Sequence, residues 1–177
     1  MMRAILLLLL LVLWVSPIQA QPYDRSQWEH WVDEDQDCQD TRQEVLIRDA
    51  IGPVTLSEDG CRVVGGTWID PYTGKTFTDP RKLDIDHVAP LAEVHRSGGV
   101  GWSLARKRAY ANWMPGLIAV DRRANRSKGA KDPARWMPPL YHCWYVSVWI
   151  HIKEYWDLTM DTEEQAAVVK GCHGNRQ

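Results

Sequence analysis

The sequence lacks the features that mark several common protein classes. Its cysteines include no C-x-x-C pair, so a structural zinc site built on such a pair is not indicated. It contains no internal repeat, no low-complexity segment and no linker of the kind that separates domains. After residue 20 no second hydrophobic run resembles a membrane span. These absences favour a single domain with its own core over a zinc-finger, repeat or multispan membrane protein.

The first twenty residues differ sharply from the rest. "MMRAILLLLLLVLWVSPIQA" carries one arginine, a continuous apolar run and a small residue, Ala20, where a signal peptidase would cut. This pattern predicts a signal peptide over 1–20 and one domain over 21–177, secreted or periplasmic. An uncleaved membrane anchor is the alternative reading. After cleavage we expect a monomer with no stable membrane association.

The cysteines fit an exported protein that forms disulfides. Four cysteines allow three pairings, and the sequence alone does not choose among them. Two apolar helices are predicted at the C-terminal end, over 138–156 and 162–172. If they fold back on each other, Cys143 and Cys172 come to the same end, which favours Cys143–Cys172 and leaves Cys38–Cys61.

Charge is distributed unevenly along the chain. Residues 81–135 contain 12 basic and 5 acidic residues, whereas the rest of the chain after residue 20 contains 8 basic and 18 acidic residues. A basic segment is often a solvated surface, but it is also what a polyanionic substrate requires. This segment therefore becomes relevant if it carries a reactive group.

Local patterns predict an α+β fold. The N-terminal half is expected to contain a helix at "TRQEVLIRDA" after Asp40, a hairpin over Arg62–Asp79 and a strand at "LDIDH". A basic helix capped by Ser103, a short strand over Leu117–Val120 and a helix from Asp121 to Gly129 are expected to follow. The two C-terminal helices come last, and the second of them is expected to start in a T-x-x-Q capping box and to stop at Gly171.

The segment "LDIDHVAPL" places Asp86 and His87 side by side where a strand is expected to end before Pro90. A second strand follows, and then a helix that carries Asn125. A strand ending in Asp-His, a second strand and a helix bearing Asn occur in the order of a ββα-metal site. The Asp and Asn oxygens suit Mg²⁺, with Mn²⁺ as an alternative, and a neutral His next to them can take a proton from water.

Three segments, "DIDHVAPL", "LIAVDRRANRSKG" and "KDPARWMPP", resemble the HNH branch of the His-Me finger nucleases, and most closely its small secreted bacterial members. The resemblance implies a ββα-metal core over about 81–135, joined to an N-terminal helix and hairpin and a C-terminal helical pair. It also implies that His87 is the general base and that Asp86 and Asn125 are metal ligands. The chain departs from the pattern at Gly116, where the middle Asn of the motif is expected; Asn112 could replace it only if the loop bends back.

Two further groups of residues are candidates for binding. Lys128, Arg126, Arg106 and Lys107 are expected to contact substrate phosphate, with a solvated surface as the alternative. Asp33, Asp35, Asp37 and Glu44 have the spacing of an EF-hand-like calcium loop, although Cys38 stands where that loop normally has Gly. The alternative is that these acids complement the dipole of the following helix.

The function expected from the sequence is that of a secreted, metal-dependent endonuclease that hydrolyses phosphodiester bonds in nucleic acid. DNA is favoured over RNA as the substrate, but the sequence does not decide between them. Two alternatives stay open: a catalytically inactive binding module on the same fold, and an interbacterial nuclease toxin.

Overall fold

The computed structural model describes residues 21–173, so the predicted signal peptide lies outside it. The helices are α1 (Thr41–Asp49), α2 (Leu91–Arg96), α3 (Leu104–Ala111), α4 (Arg122–Lys128), α5 (His142–Tyr155) and α6 (Thr162–His173). The strands are β1 (Thr55–Leu56), β2 (Val63–Gly65), β3 (Trp68–Ile69), β4 (Thr76–Phe77), β5 (Leu83–His87) and β6 (Leu117–Asp121). The fold is α+β, as the sequence predicts.

The strands form three separate antiparallel pairs, β1 with β2, β3 with β4 and β5 with β6. The predicted hairpin over Arg62–Asp79 is therefore shorter, because only β3 and β4 pair around the "PYTG" turn while Val63–Gly65 pairs with Thr55–Leu56. In the pair β5–β6, Leu83 lies opposite Asp121 and His87 lies opposite Leu117.

The β5–β6 pair runs directly into α4. Asp121 ends β6 and caps the helix, because its carboxylate accepts a hydrogen bond from the Arg123 amide at 3.0 Å. Gly129 ends the helix with φ +56°, a conformation that favours glycine. Two strands and a helix thus follow in the predicted order.

The core consists of two clusters on either side of this unit. Leu83, Ile85, Leu117 and Ala119 pack with Val45 and Leu46 of α1 and with Trp68. The second cluster contains the buried faces of α2, α3 and α5, with Trp149 and Tyr145 among its largest side chains. Because alternate strand residues face opposite sides, the apolar positions of β5 face α1 while Asp84 and Asp86 face α4.

The C-terminal helices pack against each other, and Cys143 is bonded to Cys172. Cys38 is bonded to Cys61, so both pairs are those favoured by the sequence. Three details differ from expectation, of which the first is that α5 begins at His142 and not at Pro138. The cap of α6 is Asp161, which accepts from the Glu164 amide, and Gly171 lies inside the helix. A Cβ there would lie 2.8 Å from Val146 Cγ1, so glycine serves close helix packing.

Among residues 21–173, none of the helices has the length and apolar character needed to cross a membrane.

Candidate active site

An open cleft of about 320 Å³ lies where the end of β5 meets α4. Its lining includes four residues singled out by the sequence, Asp86, His87, Asn125 and Arg126. The other lining residues are Tyr23, Arg25, Ile85, Pro90, Leu91, Ala92, Gly129 and Ala130. The fold therefore brings residues 40 positions apart in the chain to one cleft.

Asp86 is buried and tightly held. The Tyr72 hydroxyl donates to its Oδ2 at 2.6 Å, and the Lys128 ammonium donates to its Oδ1 at 2.9 Å. Burial raises the pKa of Asp86 and lowers that of Lys128, and the ion pair between them opposes both shifts. Each carboxylate oxygen can accept a second bond, so one lone pair on each remains for another ligand.

His87 is also buried, on the opposite side of the strand from Asp86. Its Nε2 lies 2.8 Å from the backbone oxygen of Ala111, and its ring stacks with those of Trp31 and Tyr110. A carbonyl oxygen can only accept, so Nε2 carries the proton and Nδ1 has the lone pair. Burial is the main cause that lowers the pKa of His87 to about 3, so the ring is neutral near pH 7.

Asn125 lies on α4 and contacts Asp84, which precedes Asp86 by two residues on the same face of β5. Its Nδ2 donates to Asp84 Oδ2 at 3.2 Å, and the Arg122 guanidinium lies 3.3 Å from Asp84 Oδ1. The amide therefore has one fixed donor contact, while Asn125 Oδ1 makes no hydrogen bond within the described residues. That oxygen is available as a ligand.

An Asn at position 116 would fit only if the Trp113 side chain moved. A Cβ on Gly116 would lie 2.9 Å from Cε3 of Trp113, too close for any real side chain. Instead the Gly116 carbonyl accepts a hydrogen bond from the Val88 amide at 3.0 Å, directly after His87. The backbone carbonyls of Ala111 and Gly116 thus fix the His87 ring and the Val88 amide.

Asn112 does not replace the missing side chain. Its Oδ1 accepts from the Val32 amide and the Thr41 hydroxyl, and its Nδ2 donates to the Glu29 carbonyl. These bonds tie down the segment that carries Trp31, which stacks on His87.

Three of the four expected phosphate-binding residues are not part of the cleft lining. Lys128 is fully buried and donates to Asp86 and to the His87 carbonyl. Lys107 is buried and donates to Gln27 Oε1 at 2.6 Å. The Arg106 guanidinium lies 4.7 Å from the centre of the Trp102 ring and donates to the Trp156 carbonyl. Each of these three head groups thus has a partner within the protein, although Arg106 is exposed. Of the four residues only Arg126, which is also exposed, lines the cleft, and phosphate contact stays a prediction.

The acidic loop before α1 brings together three of the four side chains that were expected to bind calcium. Oxygens of Asp33, Asp35 and Asp37 lie within 4.8 Å of one another. Cys38 has φ +75°, the conformation for which such a loop normally uses Gly. Burial, and then repulsion from Asp35 and Asp37, raise the pKa of Glu44 in the first turn of α1. Calcium binding by this loop stays a prediction.

Sequence reasoning missed three contributors to the site. Tyr72 bonds Asp86 from the turn between β3 and β4, and Trp31 covers His87 from the N-terminal segment. Nothing local in the sequence identifies either contact. Asp84 could have been found, because its place two residues before Asp86 puts both carboxylates on one strand face.

Comparisons with known proteins point to a nuclease-like family. A family model described as the C-terminal domain of GmrSD restriction endonucleases matches residues 40–170. An uncharacterized secreted protein of Arthroderma benhamiae is 37% identical over 150 residues, which cover 82% of this chain and 72% of that protein. That relative is fungal, whereas the sequence resembled bacterial proteins. No solved structure matches the chain.

Proposed function

Because the chain belongs to the family of GmrSD restriction endonuclease C-terminal domains, we propose that it is a secreted, metal-dependent endonuclease of the HNH type. The proposed reaction is hydrolysis of phosphodiester bonds in nucleic acid, with DNA the preferred substrate. The secreted relative and the two disulfides support the extracellular location.

One observation carries this proposal: Asp86, His87, Asn125 and Arg126 line the same cleft at the junction of β5 and α4. The cleft thus combines two hard oxygen ligands, a neutral imidazole and an exposed guanidinium. These groups suit metal-assisted attack of water on a phosphate.

The donor set fits a hard divalent cation. Asp86 keeps a lone pair on each carboxylate oxygen, and the Asn125 amide oxygen has no other partner among the described residues. With only two protein ligands, the ion would keep several waters, as Mg²⁺ commonly does. When bound, the metal would act as a Lewis acid that offsets negative charge on the phosphate.

In this account His87 accepts the proton of the attacking water at Nδ1. The Ala111 carbonyl fixes the tautomer, because it holds the proton on Nε2. Trp31 and Tyr110 hold the ring in place. Arg126 contacts a substrate phosphate from the rim, and Lys128 positions Asp86 without touching substrate.

The test is the His87→Ala variant assayed on DNA with Mg²⁺. Loss of a general base is expected to lower kcat by about 10²–10⁴-fold while substrate affinity changes little. His151→Ala is the matched control, because His151 is an exposed histidine that stacks on Trp113 outside the cleft. Wild-type turnover in a folded His87→Ala protein would remove this residue from the mechanism. A wild-type protein with no activity on DNA or RNA would instead support the inactive binding module.

A further inference from the structure

A second depression, the basic groove, lies beside α4 and is lined by Lys75, Phe77, Lys82, Asp121, Arg122 and Arg123. Its volume is about 440 Å³. Four cationic residues share this lining with one carboxylate. They come from the β3–β4 turn, the approach to β5 and the start of α4, so the fold assembles the groove from distant segments.

Two cations of the basic groove lack the ion pairs that many, though not all, of the arginines elsewhere in the described chain make. Several of those arginines are paired with carboxylates: Arg48 with Asp49, Arg81 with Asp79, Arg96 with Glu93, Arg108 with Glu34 and Arg135 with Asp132. Lys82 and Arg123 are exposed and make no ion pair within residues 21–173. Grouping such cations is unfavourable in the absence of an anion.

The remaining polar groups of the groove are partly engaged. Lys75 lies 3.5 Å from Asp121 Oδ2, but its side chain stays 63% exposed. Arg122 is held by Asp84 and by the Arg81 carbonyl. Asp121 is mostly enclosed and caps α4. The groups left to meet a ligand are therefore Lys75, Lys82 and Arg123.

The basic groove and the active-site cleft are lined by successive parts of α4, although no residue lines both. Arg123 and Arg126 are three residues apart and so lie on neighbouring positions of one helix face, about one turn from each other. Arg126 lines the cleft and Arg123 lines the groove. A ligand with repeated negative charges could contact both.

We propose that the basic groove binds the phosphodiester backbone of nucleic acid and leads the strand to the cleft of Asp86 and His87. This inference rests on the proposed nuclease function and adds the surface along which the substrate binds. In this proposal Lys75 and Lys82 contact phosphate in place of Arg106 and Lys107.

The experiment measures the anisotropy of a fluorescent DNA duplex across a salt series in EDTA, with cleavage of the same duplex in Mg²⁺ followed in parallel. For the Lys82→Glu/Arg123→Glu variant we expect affinity to fall about tenfold or more at low salt, and the slope of log K against log salt to flatten by about 2, since each phosphate contact contributes about 0.9. Arg62→Glu/Lys170→Glu makes the same change in net charge at two exposed residues that line neither the cleft nor the groove, and should bind like the wild type.

The outcomes separate the two proposals. If wild-type protein cleaves the duplex but the groove variant keeps its affinity and salt slope, the groove proposal fails and the nuclease function stands. An equal loss of DNA affinity in the groove variant and the control variant would also overturn the groove proposal, because the change in net charge alone would explain it. Neither binding nor cleavage by the wild type would overturn both. Should the reversal disturb folding, Lys82→Gln/Arg123→Gln removes the same contacts and carries the same expectation.

Discussion

At the scale of single residues, the site depends on the opposite directions taken by neighbours in a strand. Asp86 faces α4, where Lys128 and Tyr72 hold it, and His87 faces α3, where the Ala111 carbonyl holds it. The sequence could identify both residues from their motif. It could not show that Lys128 is buried, because its charge predicts an exposed side chain and only the partner Asp86 makes burial possible.

Replacing Lys128 should therefore destabilise the fold. Lys128→Met leaves the Asp86 carboxylate buried without its cation, a loss of about 3–5 kcal/mol in the free energy of unfolding. Urea denaturation measures this, with Lys131→Met as an exposed control expected to change stability by less than about 0.5 kcal/mol. A Lys128→Met protein with normal stability but low kcat would show that Lys128 contacts the substrate.

Gly116 gives a second test at this scale. Restoring the expected side chain with Gly116→Asn should lower stability by about 1–3 kcal/mol, because its Cβ would overlap Trp113. Gly101→Asn is the matched control, since no atom lies within 4 Å of a Cβ built there. Thermal denaturation of both variants checks this; a Gly116→Asn protein of unchanged stability and higher activity would refute the steric account.

At the scale of elements, helix ends were predictable where a local cap defines them. Asp40, Ser103, Asp121 and Gly129 all act as the sequence predicted. Strand partners were harder to predict, because β2 pairs with β1 through contacts that no local pattern specifies. Helix α2 was not predicted, since its first turn follows Pro90 without a side-chain cap.

The loop before α1 supplies the prediction at this scale. If Asp33, Asp35, Asp37 and Glu44 bind Ca²⁺, millimolar Ca²⁺ should raise the Tm, by about 2–4 °C for each kcal/mol of binding free energy. Asp35→Asn should remove most of this increase. Glu58→Gln, an exposed acid elsewhere, should keep it. A Tm that does not respond to Ca²⁺ would leave these acids as helix-entry charges only.

At the scale of the whole molecule, the sequence predicted the α+β class, and the structure brings the catalytic candidates to one cleft. Where the charged side chains would lie was harder to predict. The basic segment 81–135 does not form one surface. Lys107 and Lys128 are buried and Arg106 stacks on Trp102, while Lys75, outside that segment, joins the basic groove. Charge along a chain is local, whereas a binding surface depends on how distant elements pack.

The central claim is that this cleft hydrolyses nucleic acid with a divalent metal. The most direct measurement is cleavage of DNA by the purified secreted protein in Mg²⁺, in excess EDTA, and after Mg²⁺ or Mn²⁺ is restored. We expect EDTA to abolish cleavage and either metal to restore it. We also expect Asp86→Ala or Asn125→Ala to weaken the response to metal, because loss of one of only two protein ligands leaves little to hold the ion. Cleavage that persists in excess EDTA, or a response to metal unchanged in both variants, would contradict it.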